Sequence, residues 1–509
     1  MYSTIKTAIL EGIRTKPIQV EVDISNGMPT FEMVGHLSQE VKEGKERVRT
    51  ALHNMGVVLP AKRITMNLSP ANLKKSGNGF DVPMAIALLL SLGLIQEKFC
   101  KDKLFVGELS LNGQILPVNG ILPIVSDACE MGIEHIVVPK ENENEARLVK
   151  KAKIYAFSHL KELVDFLNGK SYTTTINTEI EILQKADVDF CEVNGQEFLK
   201  RACEVSASGM HNMLMIGPPG AGKTMISERV PTILPPLTEE ERLELSKIYS
   251  VCGLLTQKTA LLSNRPFRAP HHTITKIGLC GGGRNPKPGE ISLCHKGVLF
   301  LDELTEFQKD TLDVLRQPME EHQVHLTRVE NSVVYPADFL LLSAMNPCNC
   351  GYYPNMQKCR CSQRSLRRYL ERVSQPLLDR IDICVQVSSL TYHELTGKGR
   401  SETSAEIRQR VLNCHQIQQE RYKNEEFSYN SHIPAGRLSE FCYLNQKEQN
   451  YMEHIYEKMS LTGRTYHKIL RVARTIADLA EEKEIKLSHL NEAICYRNQN
   501  MNDWGGLHY

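Results

Sequence analysis

The chain of 509 residues has no apolar run long enough to cross a membrane. The longest, Val82 to Ile95, falls short of the roughly 20 residues that a spanning helix needs, so it predicts a helix of the protein core. Met1 to Lys16 carries charges on both sides of a short apolar stretch and has no cleavage-site pattern, so we expect no signal peptide. We therefore expect a cytoplasmic protein with no membrane partner.

The chain also lacks a strong charge of either sign, since 61 Lys and Arg stand against 60 Asp and Glu. A net charge of +1 gives no overall electrostatic case for nucleic acid, so such a contact must come from local patches. Fifteen cysteines without a signal peptide indicate reduced thiols or metal ligands and not a disulfide framework. No internal repeat or low-complexity tract is present, and the length suggests three or four domains at about 100–200 residues each.

The pattern of apolar residues divides the chain into four parts. Residues 1–168 predict an α/β domain, 169–186 a polar linker, 187–387 a nucleotide-binding core of alternating strands and helices, and 388–509 a helical domain. The first part has strand-like and helix-like runs in alternation. The strand-like runs are Ile18–Ile24, Arg63–Leu68 and His135–Val138. The helix-like runs are Glu40–Asn54, Pro83–Leu92 and Glu141–Lys151.

A phosphate-binding loop is the most informative motif in the chain. Its eight residues are Gly217, Pro218, Pro219, Gly220, Ala221, Gly222, Lys223 and Thr224. They lie between an apolar, strand-like run and a helix start, which argues against a chance glycine-rich turn. Backbone N–H groups and the helix N-terminus suit a β-phosphate. Lys223 is expected to reach the β/γ oxygens of a bound nucleoside triphosphate, and the Thr224 hydroxyl to ligate Mg²⁺.

A second motif predicts hydrolysis of the bound nucleotide. Val298 to Leu301 is a short apolar run that ends in Asp302 and Glu303, as a buried parallel strand would. At that edge of the sheet Asp302 can hold the Mg²⁺ and Glu303 can polarise the attacking water. The pair alone could merely cap a helix, but its place downstream of a phosphate loop favours the catalytic interpretation.

Four cysteines form a cluster that predicts a structural zinc site. Two Cys-x-Cys pairs, Cys348 with Cys350 and Cys359 with Cys361, are separated by eight residues. Zn²⁺ prefers four thiolates in a tetrahedron, and a short loop can bring two pairs together. The spacing departs from the common Cys-x-x-Cys knuckle. Four reduced thiols or two opportunistic disulfides are therefore the alternatives.

These motifs resemble the YifB/ComM family of magnesium-chelatase-like AAA+ ATPases. The segments Phe267–Thr273 and Pro288–Leu293 look like the helix-2 insertion of that branch, and Pro29–Gly35 and Phe80–Pro83 resemble its Lon-protease-like N-terminal domain. The resemblance covers nearly the whole chain. It implies an α/β fold with a Lon-like N-terminal domain, an AAA+ core and a C-terminal helical lid. It also implies a homohexameric ring that uses ATP and Mg²⁺ for DNA branch migration during uptake and recombination.

The resemblance also implies further residues of the ATPase site. Gln196 matches the segment near the adenine, Asn346 matches sensor 1, Arg380 matches the arginine finger that points into the neighbouring subunit, and Arg471 matches sensor 2 of the lid. Arg474, one turn further along, is a weaker candidate for sensor 2. Each arginine could instead form an ordinary surface ion pair.

Basic residues around the predicted insertion are candidates for contact with DNA. Six lie between residues 265 and 296: Arg265, Arg268, Lys276, Arg284, Lys287 and Lys296. A hairpin is predicted from His322 to Ala337 with Arg328 near its turn. Cationic loops suit a phosphate backbone without reading sequence, although the charges could be merely solvated. His271 and His272 are expected to order a loop and not to share one metal ion.

The rival functions are a metal-inserting motor, a protein-remodelling ATPase and a Lon-like protease. The first needs a tetrapyrrole-binding partner, which we do not expect because the chain has no acidic, proline-rich linker. The positive charge predicted for the pore argues mildly against the second. The third needs a Ser–Lys dyad, and the serine position falls near Gly79 to Asp81, which offers no hydroxyl.

Overall fold

The computed structural model describes residues 1–172, 188–255, 261–283, 286–327, 332–389 and 401–497. The chain forms two compact units. The first comprises Met1–Leu183, Thr238–Ser263 and Thr327–Tyr335, and the second comprises Gln184–Leu237, Asn264–Leu326 and Pro336–Tyr509. None of the helices in the described ranges combines the length and the apolar character that a membrane crossing requires.

A seven-stranded mixed sheet forms the centre of the first unit. Alternate residues of its strands are apolar and buried, for example Val20 and Val22, which is the period of a strand with one face on the core. The strand order is β3-β4-β2-β1-β5-β8-β9. The strands of this unit, including a separate pair β6–β7, are β1 (Tyr2–Glu11), β2 (Arg14–Ser25), β3 (Thr30–Val34), β4 (Arg63–Ser69), β5 (Lys103–Phe105), β6 (Glu108–Leu109), β7 (Ile115–Leu116), β8 (His135–Pro139) and β9 (Lys153–Phe157).

Five helices connect these strands: α1 (Gln39–Asn54), α2 (Asp81–Ser91), α3 (Ile121–Glu130), α4 (Glu143–Ala146) and α5 (Leu160–Leu167). Helix α2 is buried along nearly its whole length, which confirms the core helix predicted from its apolar run. Its first residue, Asp81, accepts hydrogen bonds from Arg47 Nε at 2.7 Å and from the Leu109 N–H at 3.2 Å. Burial raises the pKa of Asp81 to about 6.

The helix predicted over Glu141–Lys151 is wrong for most of its length. The structure has a 3-10 turn at Lys140–Asn142, the short helix α4, and then turns. Polar side chains here bind neighbouring loops: Asn142 Oδ1 accepts from the Val118 N–H at 3.0 Å, and Glu145 Oε1 accepts from the Leu122 N–H at 3.0 Å. Burial of acidic residues that a surface helix would expose overrides the local helical pattern.

Two segments inside the predicted 187–387 core belong to the first unit. They contain helix α9 (Glu239–Cys252) and nearly all of strand β16 (Ser332–Pro336). Helix α9 packs on α3, where the carbonyl of Ser250 accepts from the Gly120 N–H at 3.0 Å. A prediction that divides the chain into continuous domains cannot detect such segments, because tertiary contacts decide which unit they join. The predicted linker, 169–186, lies mostly outside the described residues, but Tyr172 packs on Phe157 and Phe166 of the first unit.

A five-stranded, fully parallel sheet forms the centre of the second unit. Its order is β11-β14-β17-β10-β18, and nearly every strand residue in β10, β14 and β17 is apolar and buried, as expected for a sheet covered on both faces. Its strands are β10 (Met213–Ile216), β11 (Phe267–Arg268), β14 (Val298–Leu301), β17 (Leu340–Met345) and β18 (Ile383–Gln386). Shorter strands are β12 (Gly281–Gly282), β13 (Lys287–Pro288) and β15 (Gln323–Thr327).

One set of helices precedes or connects the strands of this sheet, and a second set follows it, as the apolar pattern after Ser388 predicts. The first set is α6 (Glu197–Gly209), α7 (Lys223–Ser227), α8 (Val230–Ile233), α10 (Lys276–Cys280), α11 (Glu290–Leu293), α12 (Lys309–Asp313), α13 (Pro318–Glu321), α14 (Gln363–Leu370) and α15 (Gln375–Leu378). The second set, the helical lid, is α16 (Ser404–Arg421), α17 (Leu438–Phe441), α18 (Gln446–Lys458), α19 (Gly463–Leu479) and α20 (Leu487–Cys495).

Candidate functional site

The phosphate loop joins the buried strand β10 to helix α7 at the carboxyl edge of the parallel sheet. Gly217 has to be glycine here, because a Cβ atom would lie 2.3 Å from the Val387 carbonyl oxygen. Lys223 Nζ donates to the carbonyl oxygens of Gly217 and Pro218 at 2.7 and 2.9 Å. Burial lowers the pKa of Lys223, against the opposing effect of the carboxylates of Asp302 and Glu303. The loop is thus closed around its own lysine.

The predicted acidic pair and Asn346 lie at the same edge of the sheet. Asp302 and Asn346 follow directly after strands β14 and β17, which neighbour each other in the order β14-β17-β10. Thr224 Oγ1 donates to Asp302 Oδ2 at 2.7 Å, and Lys223 Nζ donates to Asn346 Oδ1 at 3.4 Å. A hydroxyl and a carboxylate in contact suit the coordination of Mg²⁺, which takes oxygen ligands.

Glu303 has an unusual backbone and a neighbour that the sequence analysis did not assign to the site. Its φ is +52°, a left-handed conformation that costs an ordinary residue of order 1–3 kcal/mol and is common at functional sites. Its side chain is 58% exposed, and Oε2 lies 3.5 Å from His272 Nδ1. The histidine pair was expected only to order a loop. Its proximity to Glu303 arises from tertiary structure and leaves no signal in the sequence.

Gln196, which the family resemblance places near the adenine, lies beside the phosphate loop in the structure. Its Nε2 donates to the Ser388 carbonyl at 2.7 Å and to the Ala221 carbonyl at 3.4 Å. It precedes helix α6 with φ at +57°. Gln196 therefore connects the loop to the segment that follows strand β18.

Arg380 and Arg471 lie at the opposite edge of the sheet. They line one cavity of about 380 Å³, together with Asn212, Phe339 and Asp382, and these three residues stand just before strands β10, β17 and β18. A four-residue strand spans about 13 Å, which separates the backbone at this edge from the phosphate loop of the same subunit. The structure brings Arg471 to Arg380 and away from Lys223.

Both arginines have partners within the subunit. Arg380 Nη2 lies 2.6 Å from Glu320 Oε1, and Nη1 donates to the Pro376 carbonyl at 2.6 Å. Arg471 Nη2 donates to the Ile433 carbonyl at 2.5 Å. Arg474, the weaker candidate, is buried and bound to Asp478, which indicates a structural role within the lid.

The four predicted zinc ligands come together in space. The four Sγ atoms lie within 4.8 Å of one another; they belong to Cys348, Cys350, Cys359 and Cys361. The Cys348–Cys350, Cys350–Cys359 and Cys348–Cys359 separations are 3.3, 3.6 and 3.8 Å, against the ~3.8 Å between thiolates in a tetrahedron with 2.3 Å Zn–S bonds. The donor set fits a structural zinc ion. Gly351, in the intervening loop, packs so closely on Pro219 that a Cβ would lie 2.7 Å from its Cδ.

Several basic residues proposed for DNA contact are engaged within the protein. Arg268 pairs with Glu290, Arg265 donates to the carbonyls of Pro235 and Lys296, and Lys296 Nζ lies 2.7 Å from Asp338 Oδ2. Lys276 and Lys287 are exposed, although Lys276 Nζ lies 3.3 Å from Asp310. Arg284 and Arg328 lie outside the described residues, and the predicted hairpin contains strands β15 and β16.

A basic cavity that the sequence analysis did not identify adjoins the cysteine cluster. Arg364, Arg368 and Arg372 line a cavity of about 520 Å³ with Asn349 and Ser365. The spacing of four residues places the first two arginines on one face of helix α14. That spacing was the available signal in the sequence. Arg372 also pairs with Glu306 at 2.9 Å.

The comparisons with known proteins agree with this fold and site. Family models described as subunit ChlI of magnesium chelatase match residues 20–142, 189–395 and, for its C-terminal part, 401–497. The chain is 41% identical to the competence protein ComM of Haemophilus influenzae over 96% of this chain and 95% of that protein. It is 38% identical to the uncharacterized protein YifB of Escherichia coli over 97% of each.

A shorter similarity connects the chain to proteases. A stretch of 158 residues is 26% identical to the Lon protease of Geobacter metallireducens, covering 29% of this chain and 19% of that protein. The fold and the site define an AAA+ ATPase, and the predicted fold class is confirmed. The chain belongs to the YifB/ComM family of magnesium-chelatase-like proteins.

Proposed function

We propose that this ATPase works as a homo-oligomeric ring, most simply a hexamer, with each nucleotide site shared between two subunits. The observation that supports this is the separation of the candidate residues between the two edges of one sheet. The phosphate loop, Asp302 and Asn346 occupy the carboxyl edge, whereas Arg380 and Arg471 occupy the amino edge. In a head-to-tail ring whose interface joins one subunit's amino edge to its neighbour's carboxyl edge, both arginines would reach the neighbour's ATP.

Each residue then has a defined chemical role. Glu303 accepts the proton of the attacking water, Asn346 orients that water without adding charge, and Lys223 leaves the loop carbonyls to bind the β/γ oxygens of ATP. Thr224 and Asp302 would hold Mg²⁺, which neutralises phosphate charge. Gln196 would order the segment of the chain that lies near the adenine of the bound ATP. Arg380 and Arg471 of the adjacent subunit stabilise the charge that develops on the transferred phosphoryl group.

We further propose that the ring moves along DNA and drives branch migration, in DNA uptake and recombination. Support comes from the relative named a competence protein and from the exposed Lys276 and Lys287 in the segment that resembles a pore insertion. A protein-remodelling ATPase is the second candidate. Among the described basic residues of the segment, only Lys276 and Lys287 are exposed, whereas Arg265, Arg268 and Lys296 bind other groups of the protein.

DNA binding should be indifferent to sequence and steeply dependent on salt. Each neutralised phosphate contributes about 0.7–0.9 to the slope of log K against log salt. Replacing Lys276, Arg284 and Lys287 together with alanine should reduce that slope by roughly two to three units, while ATP binding survives. Fluorescence anisotropy on single-stranded and branched DNA at several salt concentrations measures this.

The matched control replaces three exposed lysines of the lid, Lys423, Lys447 and Lys458, which removes equal charge elsewhere. If both triple variants lose the same slope, net charge explains the effect and the proposed contact is wrong. A parent with no measurable DNA affinity, and an ATPase rate that DNA does not change, would favour the protein-remodelling function.

We propose that Cys348, Cys350, Cys359 and Cys361 hold one structural zinc ion that fixes the segment between Asn346 and Arg380. Protein purified without added metal should contain close to one thiolate-bound zinc per chain, measured by plasma mass spectrometry. Replacing Cys348 and Cys350 with serine should lower the zinc content by close to one ion per chain, whereas replacing the exposed Cys191 and Cys495 should not. Equal zinc in the parent and in the Cys348/Cys350 variant would refute the assignment.

A further inference from the structure

Three other potential metal ligands, separate from the cysteine cluster, meet in the second unit. His322 follows helix α13, Asp338 precedes strand β17, and His432 ends a 3-10 helix of the lid, Asn430–His432. One ligand atom from each lies within 4.8 Å of the others. His322 Nδ1 is 3.4 Å from Asp338 Oδ1, and the centroids of the two imidazole rings are 4.2 Å apart.

The carboxylate of Asp338 has one oxygen that its surroundings leave unsatisfied. Oδ2 lies 2.7 Å from Lys296 Nζ, whereas Oδ1 is buried and has no hydrogen-bond partner of suitable geometry within the described ranges. A buried carboxylate oxygen without a hydrogen bond is costly and requires an explanation. The open side of Oδ1 faces the two histidines, so a cation bound there would satisfy it.

Both histidines are suited to bind a cation. His322 has φ at +54°, a conformation that costs a residue with a Cβ roughly 1–2 kcal/mol and that aims this side chain at Asp338. The imidazole of His432 packs on that of His322, so a ring nitrogen of each can reach one ion together with Asp338. Both rings line the cavity that contains Arg380 and Arg471, which leaves a path for an ion and for water.

We propose that His322, Asp338 and His432 bind one divalent transition-metal ion of the zinc type. Two imidazoles and a carboxylate suit an ion of this type better than they suit Mg²⁺ or Ca²⁺, which prefer ligand sets made only of oxygen atoms. Bonds of about 2.05 Å in a tetrahedron place neighbouring ligand atoms about 3.4 Å apart, the separation of His322 Nδ1 and Asp338 Oδ1. The fourth position opens on the cavity and would take water, and Lys296 would hold the second carboxylate oxygen.

The site would connect the lid to the ATPase core beside the two arginines. His432 belongs to the lid, and the other two ligands belong to the core. The next residue, Ile433, offers its carbonyl to Arg471 at 2.5 Å. A bound ion would therefore fix the backbone that positions Arg471. This consequence rests on the proposed function, whereas the metal site itself does not.

Cobalt is the probe for this site, because Co²⁺ bound to nitrogen and oxygen gives visible d–d bands without the strong near-ultraviolet charge transfer of thiolate ligands. Full-length protein is titrated with Co²⁺ and read by absorption and by isothermal calorimetry. We expect one equivalent with the nitrogen/oxygen signature. His322→Asn, which tolerates the left-handed backbone, and Asp338→Asn should each weaken binding by at least about 10-fold.

The matched control is His325→Asn, which removes a partly exposed histidine of strand β15 close in sequence and should bind Co²⁺ like the parent. ATP affinity and the melting temperature of each variant show whether it has folded. If Asp338→Asn fails to fold, Co²⁺ binding by His322→Asn alone tests the proposed metal site. No nitrogen/oxygen cobalt signal in the parent, or unchanged binding by folded His322→Asn, would overturn the proposal, and neither outcome bears on ATP hydrolysis or DNA binding.

Discussion

Replacing Glu303 with glutamine should leave ATP binding intact and lower the hydrolysis rate by about 10²–10⁴-fold, the usual contribution of a general base. Glu303 follows Asp302 at the carboxyl edge of the sheet, and its left-handed backbone directs an exposed carboxylate beside His272. Glutamine keeps the shape of the side chain and loses its ability to accept a proton. Stopped-flow binding of a fluorescent ATP analogue and steady-state phosphate release separate the two steps.

Two further variants make this result specific. Lys223→Ala should weaken ATP binding itself, because the ammonium group that meets the β/γ oxygens is removed. Glu306→Gln, the same chemical change three residues downstream at a carboxylate that pairs with Arg372, should hydrolyse ATP at close to the parental rate. A Glu303→Gln protein with parental turnover would exclude Glu303 as the base.

Arg380→Ala should bind ATP and assemble normally but hydrolyse about 10³–10⁵-fold more slowly, the effect expected of an arginine finger. The guanidinium lies at the edge of the sheet opposite its own phosphate loop, so its absence cannot weaken ATP binding to the same subunit directly. Phosphate release, nucleotide affinity and native mass spectrometry measure the three properties separately.

The ion pair between Arg380 and Glu320 offers a control for this variant. Glu320→Gln breaks the same contact but keeps the cation. Turnover should therefore stay near the parental value, or rise if the pair restrains Arg380. If Glu320→Gln reproduces the loss seen with Arg380→Ala, the arginine acts only through its structural contact.

The sequence was sufficient to predict the carboxyl edge of the ATPase sheet. Lys223, Asp302 and Asn346 each follow a short apolar run, and in a parallel sheet the ends of such runs meet at one edge. The structure has Lys223 and Asn346 within 3.4 Å and Thr224 and Asp302 within 2.7 Å. Strand positions in the first unit, such as Arg63–Ser69, were also predictable because alternate burial has a clear period.

Features that depend on contacts between distant segments were not predictable in the same way. The neighbour of Glu303, His272, comes from the loop between strand β11 and helix α10. The position of Arg471 beside Arg380 depends on how the lid packs on the core. The helix predicted at Glu141–Lys151 was wrong because Glu145 is buried against other loops. In each case the deciding interaction links residues whose proximity no local pattern encodes.

The most direct test of the account is to mix two inactive proteins, Arg380→Ala and Lys223→Ala. If each nucleotide site combines one subunit's phosphate loop with the next subunit's Arg380, random mixed rings at equal ratio restore about one quarter of the interfaces. ATP hydrolysis should then rise well above that of either protein alone, with mixed rings verified by native mass spectrometry. Mixed rings that show no recovery of hydrolysis would contradict a site shared between subunits.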